Sequence, residues 1–256
     1  MAQVYLETTM TGVAVLGINR PEALNALSRT IIDEMDALVT EIEGREDIRV
    51  LILYSRGNFA AGADIKNMVN LSPDEARSFS FVHVMNRIRK LQIPTIAAIE
   101  GYALGGGLEL ALTCDLRLAS KSATLGFPEI NLGIMPGAGG TIAAPRLIGE
   151  AKAKELIFTG RSLHGEEAER IGLVNQSVED DKLFEEAKKL AEKLAGKAPV
   201  ALRTAKQSVA AGLEAADMDA GLEAELALWS GLFSTEDQKE GMNAFIEKRK
   251  PAYKGK

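Results

Sequence analysis

The chain has 256 residues, 46% hydrophobic and 26% charged, the balance of a folded protein with room for one large core. Its 30 Lys and Arg against 36 Asp and Glu leave a formal charge of −6, which argues against a general nucleic-acid binder. The single cysteine, Cys114, excludes an internal disulfide and a cysteine-built zinc cluster, and its expected place is that of a small buried hydrophobe. The apolar runs are too short to span a bilayer, and the opening MAQVYLETTM lacks the basic region and apolar core of a signal peptide. A reducing cytoplasm is the expected compartment.

In chain order, residues 3–20 read as a hairpin, with Val4-Tyr5-Leu6 and Val13-Ala14-Val15-Leu16 as strands around Thr11-Gly12. After Pro21 comes a helix carrying Ile31, Ile32, Met35, Leu38, Val39 and Ile42 at helical spacing, stopped near Gly44. Val50–Tyr54 and Thr95–Ile99 are continuous apolar runs of the kind buried on both faces of a parallel sheet. Between them, Ser72-Pro73-Asp74-Glu75 reads as a capping box opening one helix, with Phe79, Val82, Met85, Ile88 and Leu91 on one face, ended by Pro94. Asp115–Ser120 and Thr124–Phe127 are two more short strands. From residue 150 onward the pattern reads as nearly all helical, with segments near 150–158, 165–171, 180–195, 198–211, 216–233 and 236–249. We divide the chain into a strand-rich core over 1–195 and a helical region over 196–256. Trp229 falls on a helix, as a core or subunit contact. His83 lies on a helix and His164 in a loop, with no Ser or Cys motif to make a triad. The C-terminal Lys248, Arg249, Lys250, Lys254 and Lys256 read as a solvated basic tail.

Two loops concentrate small residues directly after strands, where open α/β sheets bind ligands. One is Gly57–Lys66, whose small side chains let a ligand reach the backbone of Ala61 to Ala63. The other is Gly105-Gly106-Gly107, which runs straight into the apolar pattern Leu108, Leu110, Ala111, Leu112. A helix start leaves N–H groups unpaired and carries partial positive charge, which suits an oxygen that gains negative charge in a reaction. An ordinary tight turn would use the same glycines. What favours a site is Glu109, set among apolar neighbours where a carboxylate is costly to bury without a partner. A second carboxylate, Glu129, follows Pro128, so two acids stand ready to move protons. Gly133–Thr141 is a further glycine cluster; it lacks the last glycine of a dinucleotide fingerprint, where Ile142 stands. A glycosidase using the two carboxylates is disfavoured by an aromatic content of only 5%. A metal site on Glu109 and Glu129 lacks a third ligand, and none is expected.

Five motifs, in order and spacing, resemble the enoyl-CoA hydratase (crotonase) family over essentially the full chain. They are NRPEALNAL at 19–27, FAAGADI at 59–65, GYALGGGLELAL at 101–112, PEINLGIMPGAGGT at 128–141 and TEDQKEGMNAFIEKRKP at 235–251. The resemblance implies an α/β fold: a crotonase-like spiral of ββα units with a helical C-terminal region that supports trimers or stacked hexamers. It implies an oxyanion hole from the N–H groups of Ala63 and Gly106 and a catalytic pair at Glu109 and Glu129. Glu109 would orient and deprotonate water, and Glu129 would deliver a proton to C2. Ala23, Ala26, Ala61, Asp64, Ile65 and Lys66 would line the CoA site, with Gly137 near the bound water. Phe245 and Lys248 would reach CoA, often across a subunit boundary. Coenzyme A would be part of the substrate, with no separate cofactor, and the partner an acyl-CoA rather than nucleic acid or membrane. Both glutamates together favour hydration over the isomerase chemistry of relatives lacking one. Ile142-Ala143-Ala144, where housekeeping hydratases carry Gln-Arg-Leu, leaves open a specialised hydratase acting on a cyclic dienoyl-CoA or a short 3-hydroxyacyl-CoA.

Overall fold

The computed structural model describes residues 2–256. Its main sheet has six strands. β1 (Val4–Thr8) and β2 (Val13–Ile18) form the antiparallel hairpin expected from the sequence. After a 3₁₀ turn at Pro21–Ala23, α1 (Arg29–Glu43) crosses to β3 (Val50–Tyr54), which lies parallel to β2 with Ala14 opposite Leu51. Ser28 caps α1 by accepting the Ile31 N–H, and the predicted apolar stripe of Ile31, Ile32, Met35, Val39 and Ile42 is buried.

The segment read as one helix over 72–91 is two: α2 (Pro73–Phe79) and α3 (Val82–Lys90). The capping box is present at Ser72 and Glu75. The helix breaks because Ser80 adopts extended backbone (ψ 136) and its hydroxyl accepts the Val82 N–H. The turn aims Phe81 inward, where it is buried, and stacks it against Phe79 at 5.2 Å between ring centres. A continuous helix would place neither ring so.

β4 (Thr95–Ile99) is parallel to β3, and the chain then doubles into a second, smaller sheet at β5 (Tyr102–Leu104) before α4 (Gly106–Ala111). The pattern repeats in β6 (Leu116–Ser120) of the large sheet and β7 (Thr124–Gly126) of the small one. A 3₁₀ turn at Pro128–Leu132 leads to α5 (Gly140–Ile148) and α6 (Glu150–Thr159). Contrary to the nearly all-helical expectation beyond residue 150, two more strands follow. β8 (Ser162–His164) pairs antiparallel with β7, and after α7 (Gly165–Arg170), β9 (Gln176–Val178) closes the large sheet beside β6. Both are three residues long, too short for periodicity to register. His164, expected in a loop, ends β8 and stands just before α7.

The large sheet runs β1-β2-β3-β4-β6-β9 and is parallel from β2 onward; the small one runs β5-β7-β8. Side chains alternate across the large sheet into two cores. Leu16, Leu51, Leu53, Ala97, Ile99 and Ala119 face α1, α3 and the small sheet, whereas Val13, Val50, Ile52, Ile96, Ala98 and Leu118 face α8 (Leu183–Ala195). Ala187, Ala191 and Ala195, four apart, let α8 lie close on the strands. This double burial is why the strands read as unbroken apolar runs.

α9 (Pro199–Glu214), α10 (Met218–Gly231) and α11 (Glu236–Ile246) complete the chain. No residue of α9 or α10 is buried within the chain; Leu213, Met218, Leu222, Leu226 and Trp229 are all more than half exposed. No described helix is long and apolar enough to cross a membrane.

Candidate active site

Three segments meet above the small sheet. The first pair of loops, 20–27 and 58–66, is laced by backbone bonds: Ala61 N–H donates to Leu24 O at 3.1 Å, Leu27 N–H to Gly62 O at 2.7 Å, and Asp64 N–H to Leu27 O at 2.9 Å. This brings Ala23, Ala26, Ala61, Ala63, Asp64, Ile65 and Lys66 into one region. The second segment is the glycine turn at the start of α4. Gly105 holds φ +50 and ψ −122, which side chains rarely adopt, and a methyl there would sit 2.8 Å from Glu129 Oε1. Gly107 presses on the first loop pair: a methyl would lie 1.9 Å from Ala60 O. A carbon built on Gly62 would come within 3.9 Å of Gly106 N, so the two loops abut where their amides lie. Neither the Ala63 N–H nor the Gly106 N–H has an acceptor among the described residues. For Gly106 this follows from its place at the first helical position. Two donors without an acceptor among the described residues therefore lie on loops that abut at Gly62 and Gly106.

Glu109 and Glu129 supply the third feature, and both are buried, at 4% and 9% exposure. Their surroundings differ. Glu109 Oε1 accepts N–H groups from Ala138 at 2.7 Å and Gly140 at 2.8 Å, both in the second glycine cluster at the entry to α5. Burial pushes its pKa up, while the N–H groups of Gly140, Ala138 and Gly137 work against that rise by stabilising the anion. Glu129 has no such donors; its Oε2 is buried without a hydrogen-bond partner among the described residues. Burial pushes its pKa up to about 7; a contact with its own backbone opposes this, and the charge of Glu109 adds a smaller upward push. Amide donors oppose the rise at Glu109, whereas Glu129 is prepared to keep a proton near neutrality.

Gly137 lies beside Glu109, and its N–H faces that carboxylate. Phe245 and Lys248 are exposed at the end of α11, and no hydrogen bond among the described residues ties either to the loops or the acids. Sequence reasoning missed four contributors. Phe81 packs within 3.7 Å of a carbon built on Gly106. Asn25 is 1% exposed at φ 57, and its side chain receives Arg20 N–H and donates to Asn58 O. Ala138 and Gly140 brace Glu109. Only Asn25 left a signal, because asparagine tolerates the left-handed region better than other side chains.

A family model described as enoyl-CoA hydratase/isomerase matches residues 8–256. The chain belongs to the enoyl-CoA hydratase/isomerase family. Among curated relatives, the family member named short-chain-enoyl-CoA hydratase from Clostridium acetobutylicum is 47% identical over 93% of this chain and 92% of its own. The crotonyl-CoA hydratase of Syntrophomonas wolfei is 44% identical over 93% of each. The crystal structure of the enoyl-CoA hydratase from Bacillus anthracis superposes with a TM-score of 0.95 at 41% identity, covering 99% of this chain and 100% of that one. The expected α/β crotonase fold with its helical C-terminal region is the fold of this enoyl-CoA hydratase/isomerase family member.

Proposed function

We infer that the chain is an enoyl-CoA hydratase, a hydro-lyase that reversibly adds water syn across the 2,3 double bond of a 2-enoyl-CoA to give a 3-hydroxyacyl-CoA, in fatty-acid or related acyl-CoA degradation. The observation that carries this reading is the pairing of two acceptor-free amides, Ala63 and Gly106, with two buried acids in unlike surroundings.

Water adds poorly to an isolated double bond. Conjugation to the thioester lets the carbonyl oxygen take negative charge as oxygen attacks C3, and two fixed N–H donors lower the energy of that enolate-like state. Losing one such donor costs on the order of 3 kcal/mol. Glu109, whose Oε1 accepts the Ala138 and Gly140 amides, takes a proton from the attacking water. Glu129, with its raised pKa, gives a proton to C2. In dehydration the roles reverse. CoA lies along the loops carrying Ala23, Ala26, Ala61, Ile65 and Lys66, with Phe245 and Lys248 supplied by a neighbouring subunit. Names of the relatives support a short acyl group. The bare apolar face of α9 and α10 supports assembly as a homotrimer or a pair of stacked trimers. The chain works in the cytoplasm.

The test is a panel of linear and cyclic enoyl-CoA esters, followed by loss of absorbance at the conjugated thioester. Crotonyl-CoA is expected to be turned over, with solvent oxygen appearing at C3. Migration of the double bond without oxygen incorporation would refute hydration in favour of isomerisation.

A further inference from the structure

The loop that carries Ala63 is fixed by a partly buried ion pair. Arg20 Nη1 donates to Asp64 Oδ2 at 3.0 Å and to the Ala26 carbonyl at 3.3 Å. The side chains are 21% and 16% exposed, so solvent screens them less than a surface pair. Asp64 Oδ1 accepts the Lys66 N–H at 3.2 Å, so both carboxylate oxygens are engaged within the chain. Arg20 is itself anchored. Its N–H donates to Asn25 Oδ1 at 2.8 Å, and Asn25 Nδ2 donates to Asn58 O at 2.6 Å. Leu24 and Asn25 are both left-handed, at φ 51 and 57, a conformation that persists only where its surroundings enforce it. Ala63 sits between two peptide groups clamped on the fully buried Leu27, and Asp64 follows it directly.

We propose that Arg20 and Asp64 are positioning residues for the Ala63 N–H. Their ion pair sets the Ala63 peptide against Gly106 and so fixes how strongly the thioester oxygen is polarised. Asp64, which the family resemblance put among the CoA contacts, acts through Ala63 instead of on CoA. The inference rests on the hydratase reading. Its functional weight comes from the steep dependence of a hydrogen bond on distance and angle, where a misplacement of about 1 Å costs roughly a hundredfold in rate.

The test compares wild type with Asp64→Asn and Arg20→Lys. Asp64→Asn keeps the shape and an oxygen for the Lys66 N–H, and removes the charge facing Arg20. Turnover of crotonyl-CoA is expected to show kcat lowered about 10–100-fold with KM within about threefold. The thioester carbonyl stretch of bound butyryl-CoA, a saturated thioester that cannot be hydrated, is expected to move toward its value in free solution. Arg20→Lys, which keeps the charge, should retain more of both, and carries the comparison alone if Asp64→Asn fails to fold. A raised KM with unchanged kcat would make Asp64 a CoA contact and overturn the proposal. So would a variant that melts earlier yet shows wild-type kcat and carbonyl stretch. A wild type inert to every enoyl-CoA would overturn the hydratase reading and this inference together; an active wild type matched by Asp64→Asn in both readouts overturns this inference alone.

Discussion

Glu129 offers the sharpest perturbation, because its chemistry and its stability effect come from one cause. Its carboxyl is buried, Oε2 has no hydrogen-bond partner among the described residues, and its pKa stands at about 7 against an ordinary 4.5. As the proposed proton donor to C2 it must be protonated in the hydration direction. The hydration kcat/KM is therefore expected to fall above pH about 7, roughly tenfold for each further unit. Glu129→Gln keeps the shape and removes the proton; the rate should drop about 10²–10⁴-fold, the usual worth of a positioned acid. Stability follows the same carboxyl. A folded-state pKa above the unfolded one adds stability that is fully present below the unfolded value and lost as pH rises through the folded value. The window runs from 4.5 to about 7. Across it, Glu129→Gln, which cannot ionise, should gain in melting temperature relative to wild type. The assay is crotonyl-CoA hydration across pH for both proteins, paired with thermal unfolding in the same buffers. A wild-type profile flat well above neutrality, a variant within about threefold of wild type, or a melting difference independent of pH would refute the assignment.

Glu109→Gln should also cut hydration about 10²–10⁴-fold while leaving folding intact, since the amide oxygen still accepts from Ala138 and Gly140; near-normal turnover would remove Glu109 as base. Gly107→Ala forces a methyl to 1.9 Å from Ala60 O, a backbone atom that cannot swing away, and should cost about 1–3 kcal/mol in urea unfolding. An unchanged midpoint would show that the glycine turn and the Ala60 loop are not in close contact. Leu222→Glu combined with Leu226→Glu places charge on the bare face of α10 and should sediment as a monomer where the wild type sediments as the proposed trimer or hexamer; an assembly unaltered from wild type would move the interface elsewhere.

Much of the fold was readable before any coordinates. The apolar runs at Val50–Tyr54 and Thr95–Ile99 announced strands buried on both faces, and Ser72 with Glu75 announced a helix start; each signal is carried by neighbours in sequence. The break at Ser80 was not readable, because the contact it allows, Phe81 beside Gly106, joins residues 25 positions apart. The strands β8 and β9 were hidden by brevity; each exists through pairing with β7 and β6. Glu109 was suspicious as a carboxylate on an apolar helix face, yet nothing local told it apart from Glu129 in protonation.

The sequence by itself determined the family, the longer strands and most of the helices, and it singled out the two acids and two glycine loops as candidates, since motif spacing, capping and hydrophobic period are local properties. Only the tertiary structure decided that one acid is braced by two amides while one oxygen of the other has no partner among the described residues, and that Arg20 reaches Asp64 beside Ala63. Those outcomes depend on distances between segments far apart in the chain. Desolvation, ion pairing and free N–H groups are set by what folding brings within a few ångströms, and no stretch of sequence carries that information alone.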